Sequence, residues 1–267
     1  MAPVPVTGAE AIESDMDWTD EGFVLSARPF GEGSAIVELL TAGHGRHAGL
    51  LKGGRTPSRR GALEPGTRVR TVWRGRLAEN LGSWSGLEPM RHHAAGVMDD
   101  AARLAALAAA CAVAAGALPE REPHPEVFAG TEALFDVLLA SDDAAIWAAA
   151  YVRWELGLLA ALGFGLDLER CAATGRNDML AWVSPRTGRA VSLAAGEAYR
   201  DRLLALPGFL AGRGEADAVA LGDGLRLTAH FLQRCLFDPL DRPLPPARGR
   251  LAELVGAAPA PTRDAAI

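Results

Sequence analysis

The chain has 267 residues, of which 49% are hydrophobic and 22% charged. That length and balance allow a packed core in one or two domains and exclude a disordered chain. The net charge of −6, taken as an average, argues against a nucleic-acid binder; its distribution along the chain argues the other way.

Residues 1–15 hold no Lys or Arg and no apolar core, so they read as a flexible tail rather than a signal peptide. From Trp18 to Glu88 short apolar runs alternate with Gly and Pro. Gly22–Ser26, Ser34–Thr41, Arg46–Lys52, Thr67–Arg74 and Leu77–Leu87 each read as a strand, with turns at Arg28–Gly31 and Ala42–Gly45 and a long loop at Gly53–Gly66. Five strands in so short a span predict a small barrel over residues 16–90, of which the OB-fold is one kind.

Beyond Pro89 the texture becomes helical, and alanine makes up close to a fifth of the chain. Asp99–Leu118, Glu126–Ala140 and a helix starting at Ser141-Asp142-Asp143 follow. In that third helix Ile146, Ala150, Trp154, Leu158 and Leu162 recur at i+4, one apolar stripe, and Gly163 is a natural stop. Residues 166–191 lose the helical period. It returns at Ala194–Leu206, Gly224–Phe237 and Arg248–Val255, and residues 259–267 read as a frayed tail. The fold class is therefore α+β: a five-stranded barrel, then an all-α domain over 91–258.

Charge is uneven. Between His44 and Leu77 stand Arg46, Lys52, Arg55, Arg59, Arg60, Arg68, Arg70, Arg74 and Arg76 against the single acid Glu64, a net +8 on a chain whose remainder carries −14. A solvated surface mixes signs. A one-signed barrel segment instead suits phosphate neutralisation, which supplies non-specific affinity for nucleic acid. Phe23, Phe30, Trp73 and Trp84 are the candidate base-stacking rings, most of them expected in the core of so small a barrel.

No phosphate loop, nucleophile elbow or His-Glu-x-x-His motif is present, and the adjacent pair His92-His93 points two ways, so no catalytic residue and no cofactor is assigned. Cys111, Cys171 and Cys235 are too scattered for a disulfide framework, which fits a reducing cytoplasm.

Several runs together resemble one family. They are Glu21-Gly-Phe-Val-Leu25, Phe30-Gly-Glu32, Val37-Glu-Leu-Leu-Thr41, Leu51-Lys-Gly-Gly-Arg55, Leu63-Glu-Pro65, the segment Trp154–Gly175, Trp182-Val-Ser-Pro185 with Gly188, and Arg242–Arg248. In order and spacing they are similar to the RecO family of bacterial recombination mediators, over about Asp20 to Leu254. The resemblance implies an amino-terminal OB-fold, a helical domain with a zinc-finger-like segment at 166–195, and binding of single- and double-stranded DNA. It also implies annealing, partnership with RecR and the single-stranded DNA-binding protein, assistance to RecA, and a cytoplasmic, nucleoid-associated protein without enzymatic activity. Two departures shape the site expectations. Of the family's four zinc cysteines only Cys171 remains, with Thr174, Ser192 and Ala195 at the other places, so the segment is expected to be degenerate, held by Leu180, Trp182 and Val191, and without metal. For the acidic, Phe-ended tail of the single-stranded DNA-binding protein, the cation is expected to be Arg153, beside Trp154 and among small neighbours. An RNA-binding OB protein and a helical protein-interaction scaffold are the alternative readings.

Overall fold

A computed structural model describes residues 16–54, 56, 61–75 and 81–257. Five strands close on themselves in the order β1-β2-β3-β5-β4: β1 Met16–Phe30, β2 Ser34–Thr41, β3 Gly45–Leu51, β4 Thr67–Gly75 and β5 Ser83–His92. All neighbours are antiparallel except β3 and β5, which pair in parallel at Leu50–Ser83 and Leu51–Trp84. The order fits an OB-fold.

Strand β1 runs far beyond the predicted Gly22–Ser26. Its first half pairs with β4, Met16 to Phe23 against Gly75 to Arg68, and its second half with β2, Gly22 to Phe30 against Thr41 to Ser34. A bulge between Val24 and Ser26 turns one half relative to the other. The predicted turn at Arg28–Gly31 consequently falls at Gly31–Gly33, because pairing with β2 carries the strand through Pro29. The expected tails lie outside the described residues, as do residues 55 and 57–60 of the Gly53–Gly66 loop and residues 77–80 of the predicted Leu77–Leu87 strand; β5 is described over Ser83–His92.

Alternate residues fill the barrel. Val24, Ala35, Val37, Leu39, Leu51, Val69, Trp73 and Trp84 form its interior. The opposite face of β1 and β2 turns Phe23, Leu25 and Leu40 into a second core shared with the helices. Phe23 lies 5.2 Å from Phe128 and 5.3 Å from Phe135, ring centre to ring centre. Two glycines permit this contact. Gly66, at φ +82°, lies so close to the Leu107 side chain that a Cβ would approach it to 2.6 Å. Gly45, at φ +68°, lies under Glu122, where a Cβ would stand 2.0 Å from its carbonyl oxygen.

The helical half comprises the short α1 His93–Gly96, then α2 Ala101–Ala117, α3 Pro125–Ala140, α4 Ala144–Ala161, a short α5 Leu193–Gly196, α6 Ala218–Leu232 and α7 Pro246–Ala257. The predicted acidic starts act as caps. Asp100 accepts from the N–H groups of Ala102 and Arg103 at 2.9 and 3.0 Å, and Asp143 from that of Ala145 at 2.8 Å, each worth about 1 kcal/mol. In α4 the i+4 stripe is only partly buried: Trp154 and Leu158 are covered, while Ile146 is 53% exposed.

Between α4 and α6 the chain forms a small sheet in the order β7-β6-β8, from β6 Leu180–Val183, β7 Ala190–Ser192 and β8 Leu204–Ala205. The helix predicted over Ala194–Leu206 is therefore corrected to α5, a 3-10 turn at Glu197–Arg202 and β8. Pairing of Leu204 with Val183 overrides the helix preference of its alanines, and the Trp182 ring leaves no room for a Cβ at Gly196.

Candidate nucleic-acid interface and partner groove

Of the nine basic positions expected to meet DNA, five are described. Arg55, Arg59, Arg60 and Arg76 lie outside the described residues. Arg46, on the outer face of β3, donates from Nε to the Leu118 carbonyl at 2.8 Å and stands 3.7 Å from Glu38 and 3.5 Å from Glu120. It ties the barrel to the helical half. Arg68 bridges Glu21, at 3.0 Å, and Glu132 of α3, and lies over the Phe23 ring. Arg70 shares Glu21 at 3.0 Å. Arg74, at the far end of β4, is exposed and pairs with no carboxylate among the described residues; Lys52 is exposed just past β3.

Strand alternation adds a cation that charge counting missed. The interior positions of β3 are Gly45, His47, Gly49 and Leu51, so Arg46, Ala48 and Leu50 face outward. Arg28 is opposite Ile36, which is opposite Leu50, and Phe30 is opposite Ser34. Arg28 and Phe30 thus share the outer face of β1 through β3, and both are exposed, Phe30 by 51%. Their signal, an Arg-x-aromatic pair beside a Gly-x-Gly turn, was present in the sequence but lay outside the basic run. The other three candidate stacking rings are structural: Phe23, Trp73 and Trp84 are at most 3% exposed. The Trp84 indole donates to the Val37 carbonyl at 3.0 Å.

At the opposite end of the barrel His44 stacks flat on Trp18 at 3.8 Å and bonds Asp20 at 2.8 Å. His47 is buried among Trp18, Trp73 and Trp84, and neither ring nitrogen has a hydrogen-bond partner among the described residues. Burial, with Arg121 nearby, lowers its pKa to about 4.

In the helical half a cavity of about 370 Å³ opens between α3 and α4. Val127, Gly130 and Leu134 form one wall, and Ala150, Trp154 and Leu158 the other. Trp154 is fixed there by its indole, which donates to the Thr131 hydroxyl at 3.1 Å. Arg153 stands at the rim beside Gly157, where a side chain would meet open space. Its guanidinium donates to the Phe209 carbonyl at 3.1 Å and lies 5.3 Å over the Phe209 ring, and no carboxylate among the described residues pairs with it.

The zinc that the resemblance implies does not suit this chain's residues. Among the described residues no group of three or more His, Cys, Asp and Glu side chains converges. The buried Cys171 sulfur accepts the Ser192 N–H at 3.2 Å and lies 3.5 Å from its hydroxyl. Burial raises the thiol; hydrogen bonds from Thr174 and Ser192 outweigh it and bring the pKa down to about 6. One thiolate between hydroxyls is a poor tetrahedral donor set.

Residues 16–92 match the family model described as Recombination protein O N terminal, and residues 98–243 match Recombination protein O C terminal. The chain belongs to the RecO family. Its relatives include the protein called DNA repair protein RecO in Rhodospirillum centenum, 57% identical over 89% of this chain and 94% of that protein. Those of Phenylobacterium zucineum and Rhodospirillum rubrum are 54% and 51% identical, over 87% and 89% of this chain and 95% and 96% of theirs. RecO membership gives the chain a role in DNA repair and recombination. Among the described residues no helix is long and apolar enough to cross a membrane.

Proposed function

We propose that this protein binds single- and double-stranded DNA through its barrel, anneals complementary strands, and assists RecA loading together with RecR and the single-stranded DNA-binding protein. It does so without bond chemistry, in the cytoplasm and at the nucleoid. The observation that carries the reading is a closed five-stranded barrel, within the segment matched to the RecO amino-terminal model, that exposes the cations Arg28, Lys52 and Arg74, in a sequence that adds Arg55, Arg59 and Arg60. Annealing requires phosphates to be neutralised while bases remain accessible, and an outer barrel face bordered by cations supplies both. The α3–α4 groove, apolar apart from Glu126 and Arg153, offers an apolar pocket and a cation to the acidic, Phe-ended tail of the single-stranded DNA-binding protein.

The test is a salt titration of oligonucleotide binding by the full chain. Replacing Arg55, Arg59 and Arg60 together by Ala should weaken binding strongly and flatten the log–log salt slope by about one unit for each phosphate left without its cation. An unchanged affinity and slope would remove the barrel from the reading.

A further inference from the structure

The geometry points to a base-stacking position at Phe30, on the half of the β1–β3 outer face that the helices leave open. The inference rests on the reading that the barrel binds DNA, and it specifies the ligand: a strand with unpaired bases, read by stacking rather than by charge alone.

The outer face of β1–β3 has two ends. At one end Leu40 is buried in the core shared with the helices, and Arg46 is held by Leu118, Glu38 and Glu120. That end is closed to a ligand. At the other end Phe30 lies opposite Ser34, with Arg28, the buried Ile36 and Leu50 in the next row, and Lys52 follows β3 in the turn. Strands are spaced by roughly 4.8 Å and alternate residues by roughly 6.7 Å. Phe30 thus stands about 7 Å from Arg28 along β1, so the ring has a cation beside it at a nucleotide-sized separation. Two acids on the outer face of these strands, Glu38 and Glu21, are turned to Arg46 and to Arg68 and Arg70, away from Phe30; Glu32 is the acid of the hairpin turn.

A phenyl ring half exposed at a hairpin tip has no folding role comparable to that of Phe23, Trp73 or Trp84, each of which is almost fully buried. The barrel interior holds none of it: Phe30 belongs to neither core. Every base has a π-face, so stacking on such a ring tolerates any sequence, and it is denied to a duplex whose bases are already stacked. Arg28 would hold a flanking phosphate. The site therefore favours single strands over duplex, the preference that a protein handling strands before they pair requires.

The experiment measures binding to the full chain at moderate salt with three probes: an oligo-dT, an abasic deoxyribose-phosphate strand of equal length, and a duplex. Each probe is measured against the wild type and the Phe30→Ala and Phe30→Tyr variants. The wild type is expected to bind oligo-dT about tenfold more tightly than the abasic strand, about 1.4 kcal/mol. Phe30→Ala should bring oligo-dT down to the abasic level while leaving abasic and duplex affinities unchanged, and Phe30→Tyr should restore the difference. Equal loss on all three probes, or none on oligo-dT, overturns the stacking position while leaving DNA binding by the barrel intact. A wild type that binds none of the probes overturns the barrel reading itself.

Discussion

Arg248 of α7 grips Glu155 of α4 with two edges of its guanidinium, Nε at 2.5 Å from Oε1 and Nη2 at 3.0 Å from Oε2, in a site where both residues are at most 2% exposed. Thr228 of α6 also donates to Glu155, and Arg248 donates to the Leu225 carbonyl at 2.8 Å. Tyr151 lies under the guanidinium, its phenol pushed well above the usual range by burial and then by Glu155. Three helices are tied at one point.

Removing one member leaves the other charged and dry, which typically costs about 3–5 kcal/mol. Arg248→Met should lower the melting temperature on the order of 10 °C. The double variant Arg248→Met/Glu155→Gln should recover much of that loss, since the buried charge is gone. Thermal melts of the two variants check both statements.

Stability should fall in mild acid through His47. Its folded pKa of about 4 lies below the unfolded value of about 6.5, so the unfolded chain takes up a proton that the folded one refuses. Above pH about 6.5 the group contributes no slope; between about 6.5 and 4 stability is lost at up to about 1.4 kcal/mol per unit. His93 is lowered by burial too and adds with the same sign. His47→Phe, which keeps the ring among the three tryptophans, should flatten this slope in urea titrations at about pH 5 and leave stability at about pH 7.5 nearly unchanged.

Binding of a short acidic peptide ending in Phe should depend on the α3–α4 groove. Arg153→Ala should weaken it at least tenfold, about 1.4 kcal/mol, and Gly157→Leu, which fills the open rim, should do the same. Neither should change oligonucleotide binding. Calorimetry with the peptide and anisotropy with the oligonucleotide separate the two outcomes.

Elemental analysis of the purified protein should return no stoichiometric zinc, and a chelator should leave the melting temperature in place. Cys171→Ser retains an acceptor for the Ser192 N–H and should cost about 1 kcal/mol or less.

Local patterns were legible where local physics decides. Strand β2 has the predicted bounds, and Asp100 and Asp143 cap the helices their positions announced. What depends on distant partners was not. Met16–Glu21 is too polar to read as a strand and becomes one because β4 pairs with it, Trp18 against Trp73. The +8 segment counted Arg46, Arg68 and Arg70 as available; Glu21, Glu38, Glu120 and Glu132, all outside that segment, engage them. Charge density along a chain cannot register a carboxylate that folding delivers from elsewhere. That Arg153 stands beside the small Ala150 and Gly157 was legible because a helix brings i−3 and i+4 neighbours together by its own geometry; the wall that α3 adds was not.

The burial of Phe23, Leu25 and Leu40 beneath the helices limits how the molecule can be divided. Cut after His92, the barrel would present three large apolar side chains to water, each costing about 2 kcal/mol of lost burial, on a surface broad enough to self-associate. Such a fragment would tend to precipitate or to pair with itself, and any affinity it displayed would mix DNA contacts with those of an uncovered face. Domain exchange among relatives meets the same constraint: a barrel transplanted without its own α2 and α3 would arrive with a mismatched seat.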